Sequence, residues 1–309
     1  MSICGISVEA RLAAAAEVCR LKLEEDCFAK VLSCLGRQGQ PERAFQLLSQ
    51  ITIHPGSGAE VARFCASIPS ETGLHVVERT LLVLASQHAI AQVPGLAVSD
   101  RVKELFADEF RFFADPPSAW VASFQANNVR YQEMARIATL RRFPAGQFHW
   151  EVSAFPRSWV ARARQPWKAL AYTIGQMRGF GPLLELHLND RRECQPILLE
   201  EEANFSYCRA ARSIEKQPAV RGLMGASWLN CESTARVTPH LAWVRRTLQS
   251  AGASLVDLGP APADSGFLTG SKERRKLYEQ GAYQPNVTCV LWPRKRLIAW
   301  ANQHPEFDL

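Results

Sequence analysis

Ser271-Lys272-Glu273-Arg274-Arg275-Lys276-Leu277-Tyr278-Glu279-Gln280-Gly281-Ala282-Tyr283-Gln284-Pro285 decides the reading of the last third of this 309-residue chain. It predicts a helix that stops at Gly281, and the apolar run Val287 to Trp292 that follows has the length of a strand. Toward the N-terminus, strand-length runs at Ser254 to Leu258, Gly222 to Leu229, Leu183 to Leu188 and Gln147 to Val152 alternate with helical patterns at Pro239 to Ser250 and Phe205 to Lys216. Pro166-Trp167-Lys168-Ala169-Leu170 opens either a helix or a further strand, and a tail helix runs from Pro293 to Asn302. Thr238 ahead of Pro239 reads as an N-cap with proline in the first turn. Strands and helices in alternation require helices packed on a sheet, because each element has an apolar face to bury.

The first 140 residues read differently. Apolar residues recur at helical spacing in Val8 to Leu21, Phe28 to Leu35, Ala44 to Leu48, Val61 to Ala66 and Val76 to Ile90, with stops at Gly36, Gly39, Pro55-Gly56-Ser57-Gly58 and Pro94-Gly95. Ser99-Asp100 caps a helix whose Val102, Leu105, Phe106, Phe110 and Phe113 form one apolar face, a stripe that belongs to a core. Pro116-Pro117 ends it and starts another helix toward Leu140. The helix Gln40 to Leu48 has no second copy at a fixed period, which disfavours a repeat array. The expected fold is α+β or α/β: a helical domain over residues 1–142, then a mixed-sheet α/β domain over residues 143–309.

Composition sets outer limits. With 47% hydrophobic and 21% charged residues the chain is globular in character, and no apolar run approaches a membrane span. The nine cysteines, Cys4, Cys19, Cys27, Cys34, Cys65, Cys194, Cys208, Cys231 and Cys289, contain no close pair of the zinc or redox kind. Reduced, mostly buried thiols and a cytoplasmic location are the expectation. Residues 1–140 carry 13 Lys+Arg against 15 Asp+Glu, and residues 141–309 carry 23 against 15, so the two parts bear −2 and +8. The second part is therefore suited to meet an anion, unless its basic surface is merely solvated.

The Leu277-Tyr278-Glu279 helix, with its glycine, aromatic and last strand, resembles the C-terminal arm of the GNAT acyltransferase superfamily over roughly Leu183 to Pro293. The resemblance implies acyl-coenzyme A held where two central strands splay apart. Its pyrophosphate would rest on the amides of a glycine-containing loop at a helix N-terminus, where unpaired N–H groups and the helix dipole meet negative charge. The family pattern of Gln or Arg, two residues, Gly, one residue, then Gly or Ala is met by Gln176-Met177-Arg178-Gly179-Phe180-Gly181, which marks Gln176, Arg178, Gly179 and Gly181 as implied cofactor-binding residues. In the family this loop follows a strand and opens a helix, whereas here a strand-like run comes next. Either Trp167 to Ile174 is the strand, or the glycines form an ordinary turn. The resemblance also implies that Tyr278 protonates the leaving thiolate, a task suited to a phenol that keeps its proton at neutral pH. Where the family usually has asparagine, this chain has Thr269-Gly270-Ser271.

A base must remove a proton from the acceptor. His149 and Glu151 project from one face of their strand, and Glu185 and His187 from one face of theirs, so either pair can line a site. His149-x-Glu151 with His187 or His240 also has the composition of a two-histidine-one-carboxylate metal triad. Gly225-Ala226-Ser227-Trp228-Leu229 lacks the second glycine of a nucleophile elbow. His187-Leu188-Asn189-Asp190-Arg191-Arg192 ends a strand in a charged turn whose arginines suit phosphate or carboxylate. Arg294-Lys295-Arg296 beside Trp292 and Trp300 mixes cations with aromatics, but no nucleic-acid motif is present and a solvated helix start is favoured.

The expected activity is acyl transfer from acyl-coenzyme A to an amine or hydroxyl of a small-molecule or peptide acceptor. Tyr278 is the expected acid, and His149, Glu151 and His187 stand near the acceptor. No metal, nucleic acid or membrane span is expected. The alternatives are a non-catalytic interaction protein that docks through its N-terminal helices and basic second half, and a non-haem metal-dependent oxygenase.

Overall fold

A computed structural model describes residues 6–52, 58–68, 74–126, 128–189, 198–263, 265–268 and 271–308. The chain divides into two compact units, Met1–Pro144 and Ala145–Leu309. Together they give a helical N-terminal region followed by a mixed α/β domain.

Among the described residues the first unit has seven α-helices, α1 (Val8–Glu24), α2 (Asp26–Leu35), α3 (Pro41–Leu48), α4 (Ala59–Ser67), α5 (Leu74–Ile90), α6 (Asp100–Ala114) and α7 (Val129–Ala138), and ends in the two-residue strand β1 (Phe143–Pro144). Helix α5 is the hub, touching α1, α2, α3, α4, α6 and α7. Its Val77, Leu81, Leu82, Val83, Leu84, Ala85 and Ala89 are all buried, and apolar residues around the whole circumference are what a central helix needs. Ser99 caps α6 by accepting the Val102 N–H, and Phe106, Phe110 and Phe113 lie in the core. The helix expected after Pro117 is broken into a 3-10 turn, Ser118–Ser123, and α7, which Asn128 caps by accepting the Arg130 N–H.

The second unit consists of β2 (Phe148–Ser153), α8 (Arg157–Arg162), α9 (Pro166–Gly175), β3 (Leu183–Leu188), α10 (Glu200–Glu215), β4 (Gly222–Ser227), α11 (Glu232–Val237), α12 (Ala242–Ser250), β5 (Ser254–Pro260), α13 (Lys272–Glu279), β6 (Asn286–Pro293) and α14 (Arg294–Gln303). Within it the strands lie in the order β2-β3-β4-β6-β5. β2 and β3 are antiparallel, as are β4 and β6 and β6 and β5, while β3 and β4 run parallel. The parallel pair is joined through α10, a crossover that parallel strands require.

One face of this sheet packs on α8 and α9 through Val160, Ala163, Ala169, Leu183, Met224, Cys289 and Leu291. Aromatic rings fill the other face. Phe148 stacks on Tyr207 at 5.5 Å, Tyr207 meets Trp292 at 5.4 Å, and Trp292 meets Trp300 at 5.4 Å, joining the sheet to α10 and α14. Trp292 and Trp300 are therefore buried and offer no ring to a nucleic-acid base.

Gly222 makes the β4–β6 approach possible. A Cβ there would stand 2.2 Å from the Trp292 carbonyl oxygen, which only the absence of a side chain allows. Thr238 does not act as the expected cap, because its side chain makes no capping bond and a 3-10 turn, Pro239–Leu241, intervenes before α12.

Candidate active site

The ladder between β3 and β4 is short. It registers Leu184 with Leu223 and Glu185 with Met224, whereas β2 pairs with β3, and β4 with β6, over six residues each. Beyond Glu185 and Met224, the residues Leu186–Leu188 and Gly225–Ser227 have no register partner across the pair among the described residues. Leu186 and Gly225 still lie side by side, a Cβ on Gly225 standing 3.4 Å from that of Leu186, so any parting of the strands begins beyond them, where peptide groups need partners from solvent or from a ligand.

On the β3 lip, both pairs of candidate bases end on one face. The register sets His149 opposite His187 and Glu151 opposite Glu185. Directly paired residues share a face, so all four side chains leave the sheet on the side that also carries Leu183 and Met224. His187 Nε2 lies 3.2 Å from Glu151 Oε1, within ion-pair reach though not aligned as a hydrogen bond. One ligand atom from each of Glu151, Glu185 and His187 lies within 4.8 Å of the others. Two carboxylates facing each other across a strand pair repel unless a cation or a hydrogen-bond donor stands beside them, and the His187 ring is the group that stands there. Burial pushes the Cys289 thiol up, and the nearby Glu185 carboxylate adds to the effect.

The convergent set departs from the metal triad that the oxygenase alternative would use. It holds one histidine and two carboxylates, with Glu185 in place of His149 and without His240. Such a donor set suits a hard or borderline divalent cation, and Glu151, Glu185 and His187 are the residues that would hold one. It is not the two-histidine set of the oxygenase alternative.

Tyr278 sits on α13, which Ser271 caps by accepting the Arg274 N–H at 3.2 Å. Its ring packs 5.2 Å from that of Phe267, in a cluster with Tyr283, Trp228 just after β4, and Val287 at the start of β6. Because β3 and β4 run parallel, their C-terminal ends lie together. His187 near the end of β3 and the Tyr278 cluster at the end of β4 thus flank the same end of the opening. Ser227 ends β4 by accepting the Leu229 N–H, so its side chain serves the turn.

The glycine motif lies elsewhere. Trp167 to Ile174 belongs to helix α9, and Leu183 to Leu188 is the strand, so Gln176–Gly181 leaves a helix and enters a strand. Gln176 N–H bonds to the Tyr172 carbonyl at 2.8 Å and Gly179 N–H to the Thr173 carbonyl at 2.9 Å, while Arg178 and Gly179 adopt φ of 58° and 96°. This is the left-handed closure of a helix C-terminus, whose dipole is negative and which has taken up the amides of Gln176, Met177 and Gly179. Of the two readings open in the sequence, the ordinary turn is the one the fold adopts. Thr269 and Gly270, and likewise Asp190, Arg191 and Arg192, lie outside the described residues.

No family model matches the chain, and no curated protein matches it. Among solved structures, it is similar to an acyltransferase variant in complex with octanoyl-CoA, at TM-score 0.49 and 13% identity over 91% of this chain and 88% of that one. It is also similar to an acyltransferase in complex with decanoyl-CoA and teicoplanin, at TM-score 0.48 and 13% identity over 89% of this chain and 85% of that one. A third, an acyltransferase in complex with CoA and 10C-teicoplanin, has TM-score 0.47 and 12% identity over 89% of this chain and 85% of that one.

Proposed function

We propose that the second unit transfers an acyl group from an acyl-coenzyme A thioester to an amine or hydroxyl of a small-molecule or peptide acceptor. The observation that carries this reading is the end of the parallel β3–β4 ladder at Glu185 and Met224, with an acid–base cluster on the β3 side and the Tyr278 cluster beyond the end of β4. The amide-containing pantetheine arm is an extended chain, and it fits beside β3 and β4 as an added strand would, pairing with those peptide groups of Leu186–Leu188 and Gly225–Ser227 that do not already face β2 or β6.

The thioester supplies an activated acyl carbon. The Glu151–Glu185–His187 cluster takes the proton that the acceptor nitrogen or oxygen loses as it bonds to that carbon. When the carbon–sulfur bond breaks, Tyr278 gives its phenolic proton to the sulfur and regains one from solvent. His149, beside His187 in the register, supports the cluster from the β2 side. The exposed Ala226, at the open part of β4, leaves room above the strand for the acyl group.

Thermal unfolding with and without acetyl-coenzyme A and longer acyl-coenzyme A tests the proposal, since a ligand that binds the native state raises the midpoint. Ala226→Trp fills the opening from an exposed position. The expected result is a ligand-induced rise in the wild type and none in Ala226→Trp. No rise in the wild type at saturating ligand would reject the reading.

A further inference from the structure

The residues Gln176 and Arg178, marked in the sequence for phosphate binding, line a cavity of about 380 Å³ at the end of the sheet where β3 and β4 begin. This is the end opposite the acid–base cluster, which lies toward the C-terminal end of β3. Arg221, Arg294 and Lys295 complete a lining with four cations and no carboxylate.

Two of these cations are fixed in place. The Arg294 guanidinium donates to the carbonyls of Gln217 at 2.7 Å, Val220 at 3.3 Å and Glu215 at 3.3 Å, closing the C-terminal end of α10. Arg221 lies across Gly181, where a Cβ would stand 2.6 Å from its Cγ and 2.9 Å from its Nε. That Nε is buried without a hydrogen-bond partner. Arg178 and Lys295 are exposed at the rim. In addition, α14 opens with Arg294, Lys295 and Arg296, three cations at the positive end of its dipole. Arg296 is engaged outside this cavity, donating to the Gly252 carbonyl at 2.7 Å and to Gln176 Oε1 at 3.2 Å, so Lys295 is the charge of that turn left for an anion in the cavity to meet.

We propose that this cavity binds the phosphoryl group of a phosphate ester or diphosphate, recognised by arginine side chains instead of by a glycine loop. The site stands apart from the acyl-transfer opening and does not depend on that reading. The phosphoryl group has two chemical sources, the phosphorylated nucleotide end of coenzyme A and a separate phosphate-bearing effector.

Isothermal titration of the full chain with inorganic pyrophosphate tests the site, with the Arg178→Gln/Lys295→Gln double variant as the comparison. Both substituted side chains are exposed, so the unliganded thermal midpoint stays unchanged. Removing two rim cations should weaken pyrophosphate binding roughly ten-fold, and the wild-type affinity should fall as salt rises. Repeating the titration in the presence of adenosine 3′,5′-bisphosphate separates the sources: competition supports the site with coenzyme A as its ligand, and additive binding supports it with a separate effector. Absence of pyrophosphate binding, or binding that the double variant leaves unaltered, overturns the proposal.

Discussion

Replacing Glu78 by glutamine stabilises the protein above neutral pH and leaves it nearly unchanged in acid. This carboxyl lies on the central helix α5 of the first unit and is 4% exposed. Its Oε1 accepts the Ala126 N–H at 2.6 Å, while Oε2 is buried with no partner. Burial outweighs that bond and raises the carboxyl from its ordinary 4.5 to about 7. The folded state therefore keeps a proton that the unfolded chain releases. The stability tied to the neutral form is present in full below about 4.5, declines as pH rises, and is gone once pH has passed through about 7. At about 1.4 kcal/mol per tenfold, this gap amounts to on the order of 3 kcal/mol. Glutamine keeps an acceptor for the Ala126 amide and has no proton to lose. The difference in unfolding free energy between Glu78→Gln and wild type should thus grow by on the order of 3 kcal/mol from about pH 4.5 to about pH 8. Urea denaturation followed by circular dichroism, run on both proteins across that range, reads the difference directly. A difference that is flat with pH would refute the reasoning, because it would mean the carboxyl is solvated in the native state.

Three further outcomes follow from the second unit. Glu185→Gln should lower turnover roughly 100-fold or more while leaving the acyl-coenzyme A dissociation constant nearly unchanged, measured by steady-state kinetics and titration, because a base acts on the acceptor proton and not on the thioester. Tyr278→Phe should slow transfer from acyl-coenzyme A, yet have little effect with an aryl thioester donor, whose thiolate leaves without a proton. Gly222→Ala should cost roughly 3 kcal/mol by denaturant titration, since its methyl would meet the Trp292 carbonyl, 2.2 Å from the Cβ position, and the two backbones must part.

Strands were legible where one face is apolar and the other polar, or where both are buried. Leu183-Leu184-Glu185-Leu186-His187-Leu188 alternates, and the sequence reading delimits β3 correctly. Helix α10 begins at Glu200, before the expected Phe205, because Glu200, Glu201 and Glu202 belong to its first turn, where acids suit the dipole but carry no apolar signal. The ambiguous run after Pro166 became a helix with proline in its first turn.

The site was half legible. Period two along a strand shows that Glu185 and His187 share a face, but only the register across strands shows that Glu151 and His149 share it with them. The glycine motif was misleading for a related reason. Its glycines satisfy a spacing, while phosphate binding by a loop depends on free amides at a helix start, and here the amides of Gln176, Met177 and Gly179 are bonded into a helix end. The cations around Arg178 come from positions far apart in the chain, joined only by the approach of β4, β6 and α14, and no local pattern announces them.

Amide hydrogen exchange with and without acyl-coenzyme A tests the central claim most directly, because it reads the peptide groups that would pair with the pantetheine arm. Acyl transfer in the β3–β4 opening predicts that ligand protects those amides of Leu186–Leu188 and Gly225–Ser227 that do not face β2 or β6 more than those of the paired segments Leu223–Met224 and Val290–Leu291. Ligand binding that leaves those amides unprotected, or no change anywhere in the second unit, would contradict it.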